Sequence, residues 1–228
     1  MQYLISVLIL FTCIFAATCV AFRSKNKSLE GMICKFMASF GFISIAIIGH
    51  YQNPANRLYF VLILFALMFG FCGDVFLGIK EIAPTFKKKL IPVGAVYFLI
   101  GHVFYMFAFS SVKGFEPLTI IAMPVGFALS LIMMKLLKMP LKGPIAIVLS
   151  IYYGMLIWKV VFTAWLVHAE MNAANILCLV ASALFFISDT CLAFLYFTPV
   201  KKKNPLVIAE LSTYYPAQIL FSLSVLIR

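Results

Sequence analysis

Residues 58–79 read LYFVLILFALMFGFCGDVFLGI, an apolar run of 22 residues broken by one charged side chain, Asp74. A helix rises about 1.5 Å per residue, so roughly 20 such residues cross a hydrocarbon core about 30 Å thick. The run therefore reads as a membrane-spanning helix, and the rest of the chain has the same character. Of 228 residues, 64% are hydrophobic and 11% charged, and the mean hydropathy is +1.10. A water-soluble domain carries about 25% charged residues, so this chain has too little polarity to cover a surface facing water. Backbone groups in lipid must bond within their own segment, which favours helices. A transmembrane barrel would show short alternating segments, and these runs are long and do not alternate.

Working outward from 58–79 gives spans at approximately 1–22, 32–49, 58–79, 90–111, 117–134, 143–167, 173–197 and 205–227. The expectation is one all-α domain, a polytopic transmembrane bundle of about eight helices. The second and fifth spans are the shortest. The first run lacks the positive start of a signal peptide, and Arg23, Lys25 and Lys27 follow it, so it reads as a retained helix.

The net charge of +11 follows the same logic. In a soluble protein it would point to nucleic acid, but no aromatic-plus-basic stripe is present and no nucleic-acid partner is expected. The first connection holds Arg23, Lys25 and Lys27, with Lys35 just beyond. The third holds Lys80, Lys87, Lys88 and Lys89, the fifth Lys135, Lys138 and Lys142, and the seventh Lys201, Lys202 and Lys203. The second and fourth hold only Arg57 and Lys113, and the sixth has no Lys or Arg. Basic connections lie on the cytoplasmic side, which places both termini on the opposite side of a bacterial plasma membrane or an endoplasmic reticulum membrane. Six Cys residues lie in or beside apolar runs without a CxxC or a Cys/His cluster. They read as small buried hydrophobes, with no disulfide framework and no metal site.

A short motif occurs twice. Phe71-Cys72-Gly73-Asp74-Val75-Phe76-Leu77-Gly78 and Phe186-Ile187-Ser188-Asp189-Thr190-Cys191-Leu192-Ala193 both fit Phe-x-small-Asp-x-x-Leu-small. They lie four spans apart, on helices running in the same direction, which suits two parallel four-helix halves; chance competes for so short a match. Asp74 and Asp189 are the only aspartates. An acid at mid-helix costs about 2.5–3.5 kcal/mol on insertion scales and usually faces a bundle interior or a wet cavity. Each either bonds a neighbouring helix or serves a site. Gly70, Gly73 and Leu77 share a face with Asp74, and Ser182, Phe185 and Ser188 flank Asp189, an arrangement for close packing or for shaping a site.

Other polar groups join this set. His102 and Tyr105 share a face of the fourth span, as core residues or as part of a site. Tyr214, Tyr215 and Gln218 group in the last span, to bond between helices or to bind. Tyr152 and Tyr153 line a cavity or fill core. His50 and His168 sit at span ends, and three scattered His residues make no metal site. Glu210 is expected at the water interface, near Lys201–Lys203. Lys159, deep in the sixth span, is expected to snorkel outward.

In order and spacing, four motifs resemble those of the YhhN-like lysoplasmalogenase family. They are Gly73-Asp74-x-x-Leu77, His102-Val103-Phe104-Tyr105-x-x-Ala108-Phe109, Leu184-Phe185-Phe186-x-Ser188-Asp189-x-x-Leu192-Ala193 and Tyr214-Tyr215-x-Ala217-Gln218. The resemblance runs from the third span to the last. It implies a further site tyrosine in the sixth span, either Tyr152 or Tyr153. Lys159 falls near a position usually apolar in the family, and Glu210 lies outside its pattern. The resemblance also implies cleavage of the vinyl ether bond of a lysoplasmalogen, to a fatty aldehyde and glycerophosphoethanolamine or glycerophosphocholine.

The residues suit such chemistry. Protonating the alkene carbon gives an oxocarbenium ion, and glycosidases surround a comparable state with two carboxyl groups. Asp74 and Asp189 are expected to form such a pair in one pocket, one as acid and one as anion. His102, Tyr105, Tyr152, Tyr153, Ser188, Tyr214, Tyr215 and Gln218 would line the site, with no cofactor. Asn at either acid is expected to abolish aldehyde release without unfolding the protein. Two other classes share these features: a small transporter or channel with intramembrane carboxylates, and a non-catalytic lipid-binding protein.

Overall fold

The structure is a computed structural model that describes residues 2–25, 27–139, 143–199 and 203–228. Met1, placed in the first span, and Lys142, Lys201 and Lys202, placed in basic connections, lie outside the described residues. The described residues form eight α-helices and no strand: α1 (Gln2–Ser24), α2 (Ser28–Gln52), α3 (Arg57–Ile82), α4 (Lys87–Lys113), α5 (Ala122–Leu136), α6 (Pro144–Ala169), α7 (Ala173–Phe197) and α8 (Asn204–Ile227). Every expected span lies on one element or pair of elements in this order. The helices run past the apolar cores because helical bonding continues until a cap or a turn ends it. Asn56 and Asn172 cap α3 and α7 by accepting the backbone N–H of Tyr59 (3.0 Å) and Asn175 (2.9 Å). The second span, short by hydropathy, becomes one of the longer helices because Ser28–Gly31 and His50–Gln52 extend it at both ends.

The fifth span is built differently. Pro117–Ile121 form a 3-10 turn before α5. A 3-10 turn rises about 2.0 Å per residue, so turn and helix together reach about 32 Å, enough for the bilayer core. Including this element, seven helices are long and apolar enough to cross a membrane, so the protein is a multi-pass membrane protein. The helix outside that set is α8, which Glu210, Tyr214, Tyr215 and Gln218 make more polar. It packs on α1, α2, α3 and α7, inside the bundle.

Consecutive helices form antiparallel hairpins within 1–4 and within 5–8, and α4 and α5 are not in contact. The halves meet where α8 packs on α2 and α4 packs on α6. These two contacts are equivalent if α1–α4 and α5–α8 are parallel repeats, as the doubled Asp motif suggests. The α1·α8 contact has no counterpart at α5·α4, and α7 meets α4 through side chains alone where α3 and α8 pack more closely, so the symmetry is partial. Asp74 lies eight residues short of Ile82, and Asp189 lies eight short of Phe197. Each is therefore about 12 Å along its helix from the same, Lys-rich end of the bundle.

Candidate functional site

Asp74 is 1% exposed and fully engaged. Lys35 Nζ, from α2, lies 2.9 Å from its Oδ1. The Tyr214 hydroxyl, from α8, donates to Oδ2 at 2.7 Å, and Ser39 Oγ donates to the same oxygen at 3.3 Å. The tyrosine is held in turn. Gln218 Nε2 donates to the Tyr214 hydroxyl oxygen (3.0 Å), and the Tyr105 hydroxyl donates to Gln218 Oε1 (2.9 Å). A single relay of donors thus links α4, α8 and α3. Small residues make this approach possible. A Cβ at Gly70 would lie 3.1 Å from Gln218 Nε2, and one at Gly73 would lie 2.6 Å from the buried Phe98 ring. Gly73→Val is expected to lower stability by about 1–3 kcal/mol through overpacking. The midpoint of thermal unfolding in detergent reads this, and an unchanged midpoint would contradict it.

Asp189 is held by fewer partners. The Tyr152 hydroxyl, from α6, donates to its Oδ2. His102 Nε2, from α4, lies 3.9 Å from the same oxygen and makes no hydrogen bond. The Tyr153 hydroxyl donates to the Asp189 backbone carbonyl at 3.4 Å, not to the carboxyl group. Of the two candidate tyrosines of the sixth span, Tyr152 is therefore the one on the acid. Behind His102 stands Lys159, whose Nζ is 3.3 Å from His102 Nδ1. The ammonium lies against the faces of Phe185 (4.0 Å to the centroid), Tyr105 (4.9 Å) and Phe221 (5.2 Å), a cation–π cage.

The two acids share a depth but not a chamber. Asp189 lines a cavity of about 50 Å³ with Phe98, Leu149, Tyr152, Tyr153 and Tyr196, and Asp74 is not in its wall. Phe185 stands between the clusters. Its ring lies 5.5 Å from that of Tyr214 and 5.0 Å from that of His102. The arrangement is the same on each side. Each Asp sits on the third helix of its half, beside a buried Lys of the second helix, and meets a polar residue from the fourth helix of the other half. The difference is that Lys35 touches its acid, while Lys159 reaches Asp189 only through His102.

The remaining candidates divide. Ser188 is buried on α7 next to Asp189. Tyr215 points the other way, its hydroxyl 3.9 Å from Cys19 Sγ of α1. Three expectations are corrected. Asp74 and Asp189 do not form a pair in one pocket, because the Phe185 ring packs between their clusters. Lys159 does not snorkel: it is 1% exposed, because the imidazole and three rings surround its charge in the interior. Glu210 is not interfacial: it is 3% exposed and pairs with Arg23 Nη1 at 3.2 Å. Arg23 also binds Glu81, so one guanidinium ties α1 to both α3 and α8. Lys35, read as a basic residue just beyond the first connection, is a partner of the site. The signal that finds it is charge balance, since a buried carboxylate in lipid needs a cation and few occur within spans. Among the described residues, no three His, Cys, Asp or Glu side chains converge as metal ligands would.

The sequence profile of the YhhN family matches residues 32–225. This chain is a member of the YhhN family. No curated protein and no solved structure matches it significantly. In this YhhN protein the matched region takes in both acids, their lysines and every hydrogen-bonded member of the two clusters. It leaves out α1, and with it Arg23.

Proposed function

We propose that this YhhN protein hydrolyses the vinyl ether bond of lysoplasmalogens, releasing a fatty aldehyde and a glycerophospho-headgroup alcohol. The family includes lysoplasmalogenases, which makes a lipid hydrolase the first reading. The observation that carries it is the contrast between the two acids. Asp189 faces a cavity, and Tyr152 is the one side chain that hydrogen-bonds its carboxyl group among the described residues, with no cation paired to it. Asp74 is locked as an anion by Lys35 and Tyr214.

In this reading Asp189 gives its proton to the alkene carbon, and the carbon bonded to the ether oxygen becomes an oxocarbenium ion. The new Asp189 carboxylate then takes a proton from water as that water adds to the cation. The resulting hemiacetal collapses to aldehyde and alcohol, its hydroxyl proton passing to the departing glycerol oxygen. Asp189 ends protonated, so the cycle closes without a cofactor. Tyr152 and His102 orient Asp189 and the water, while Asp74, ion-paired with Lys35 outside this chamber, holds the neighbouring helices in place. The Lys-rich end is assigned to the cytoplasm by the positive-inside rule, which puts both termini on the other side. The membrane is a bacterial plasma membrane or that of the endoplasmic reticulum.

Purified protein in detergent, given a lysoplasmalogen, is expected to release aldehyde in step with the glycerophospho product. Flux of substrate across liposomes without aldehyde would instead make it a transporter. Binding with neither outcome would make it a lipid-binding protein.

A further inference from the structure

The Asp189 chamber adjoins apolar space between helices. A second cavity, of about 250 Å³, lies between the first turns of α4 and α6. The two cavities share Ile91, Ala95, Leu149 and Phe197 as walls, so they adjoin, as does a cavity of about 200 Å³ under α5 that shares Leu149, Tyr153, Ala193 and Phe197 with the chamber. Among the described residues no helix covers the outer part of the α4/α6 cavity, because α5 packs only on α6 and the 3-10 turn before it. On the rim Val96 of α4 is 42% exposed, to what in the membrane is lipid. The proline pair Pro92 and Pro144 lies in the same wall. Pro92 has no N–H for the helical bond to residue 88, which loosens α4 beside the mouth. The α4/α6 cavity stays within the first turns of α4 and α6, about 14 Å or less from the Lys-rich end.

We propose that a single-chain phospholipid reaches Asp189 sideways from the Lys-rich leaflet, through this α4/α6 cleft, with Ala95 and Leu149 as the constriction. The proposal rests on the vinyl ether reading for the chemistry but not for the binding. Three features specify the occupant. The outer walls are apolar throughout and take a hydrocarbon chain. The inner chamber, at about 50 Å³, is smaller than the α4/α6 cavity, so the space narrows toward Asp189. A narrow passage of this kind accepts one chain and turns away a diacyl lipid. The exposed Lys25, Lys27, Lys89, Lys135, Lys138 and Lys203 at the same end match an anionic phosphate group lying at the surface.

The test uses the full chain in nanodiscs of diacyl phosphatidylcholine. The probe is a lysophosphatidylcholine carrying a diazirine in its chain, a ligand without the vinyl ether bond. After irradiation, labelled peptides are mapped. Labelling is expected to concentrate on residues 91–96 and 144–149 and to be competed by unlabelled lysophosphatidylcholine, against the excess of diacyl lipid already present. Ala95→Trp, which fills the constriction, is expected to lower both this labelling and aldehyde release about tenfold. Leu129→Trp, on the lipid-facing side of α5, should change neither. A matching unfolding midpoint for the two variants separates blockage from misfolding. Labelling spread evenly over lipid-facing residues, or unchanged in a well-folded Ala95→Trp variant, overturns the portal. Labelling in the cleft without aldehyde from a lysoplasmalogen leaves the portal standing and removes the hydrolase reading. Aldehyde release with labelling elsewhere does the reverse.

Discussion

Asp189→Asn is expected to reduce aldehyde release by about 10²–10⁴-fold, the range that a positioned proton donor contributes. The fold should survive. The amide oxygen of Asn can still accept from the Tyr152 hydroxyl, and no ion pair closer than the 3.9 Å approach of His102 is lost. The unfolding midpoint of Asp189→Asn should therefore stay near that of the wild type while turnover collapses. Asp74→Asn gives a different pattern. It leaves Lys35 buried without its counter-charge, so its loss of activity should come with loss of stability. This revises the expectation from sequence that both variants stay folded. Near-normal turnover by Asp189→Asn would remove this carboxyl group from the chemistry.

Lys35→Met should be the most damaging substitution for stability, costing about 3–5 kcal/mol, the usual penalty for stranding one member of a buried ion pair. Asp74 is 1% exposed, and its remaining partners, Tyr214 and Ser39, are neutral hydroxyls. They can hydrogen-bond the carboxylate but cannot cancel its charge. The double variant Lys35→Met/Asp74→Asn removes both charges together and should recover a large part of the loss. A double-mutant cycle on unfolding midpoints measures the coupling. If the single and double variants are equally destabilised, the pair does not hold α2 to α3.

Most of the fold is written locally in the chain. Each helix displays its own apolar run, and the basic residues alternate end to end, so the number and order of helices follow from residues such as Leu58–Ile79 read alone. The like depth of the two acids was also legible, because their motifs repeat at matching distances from the helix ends. What local reading misses is the partner on another helix. Lys35 looks like one more charge at the basic end of its span and Lys159 like a snorkelling one until α3, α4 and α7 are placed beside them. Successive residues on a helix point about 100° apart, so Tyr152 and Tyr153 face different neighbours. Only the position of α7 shows which of them meets the carboxyl group. The separation of the acids by Phe185 has the same origin: the motif fixes depth along a helix, but rotation about its axis is settled by packing.

The burial of α8 has a consequence for biogenesis. An insertion machinery that weighs each segment by its own hydropathy would hesitate over a helix carrying Glu210, Tyr214, Tyr215 and Gln218. The ribosome delivers α1 to α7 before it, however, so the carboxylate on Asp74 and the guanidinium of Arg23 are already waiting as docking points. This final helix need not partition into lipid unaided; it can be threaded into a berth that the earlier helices have made.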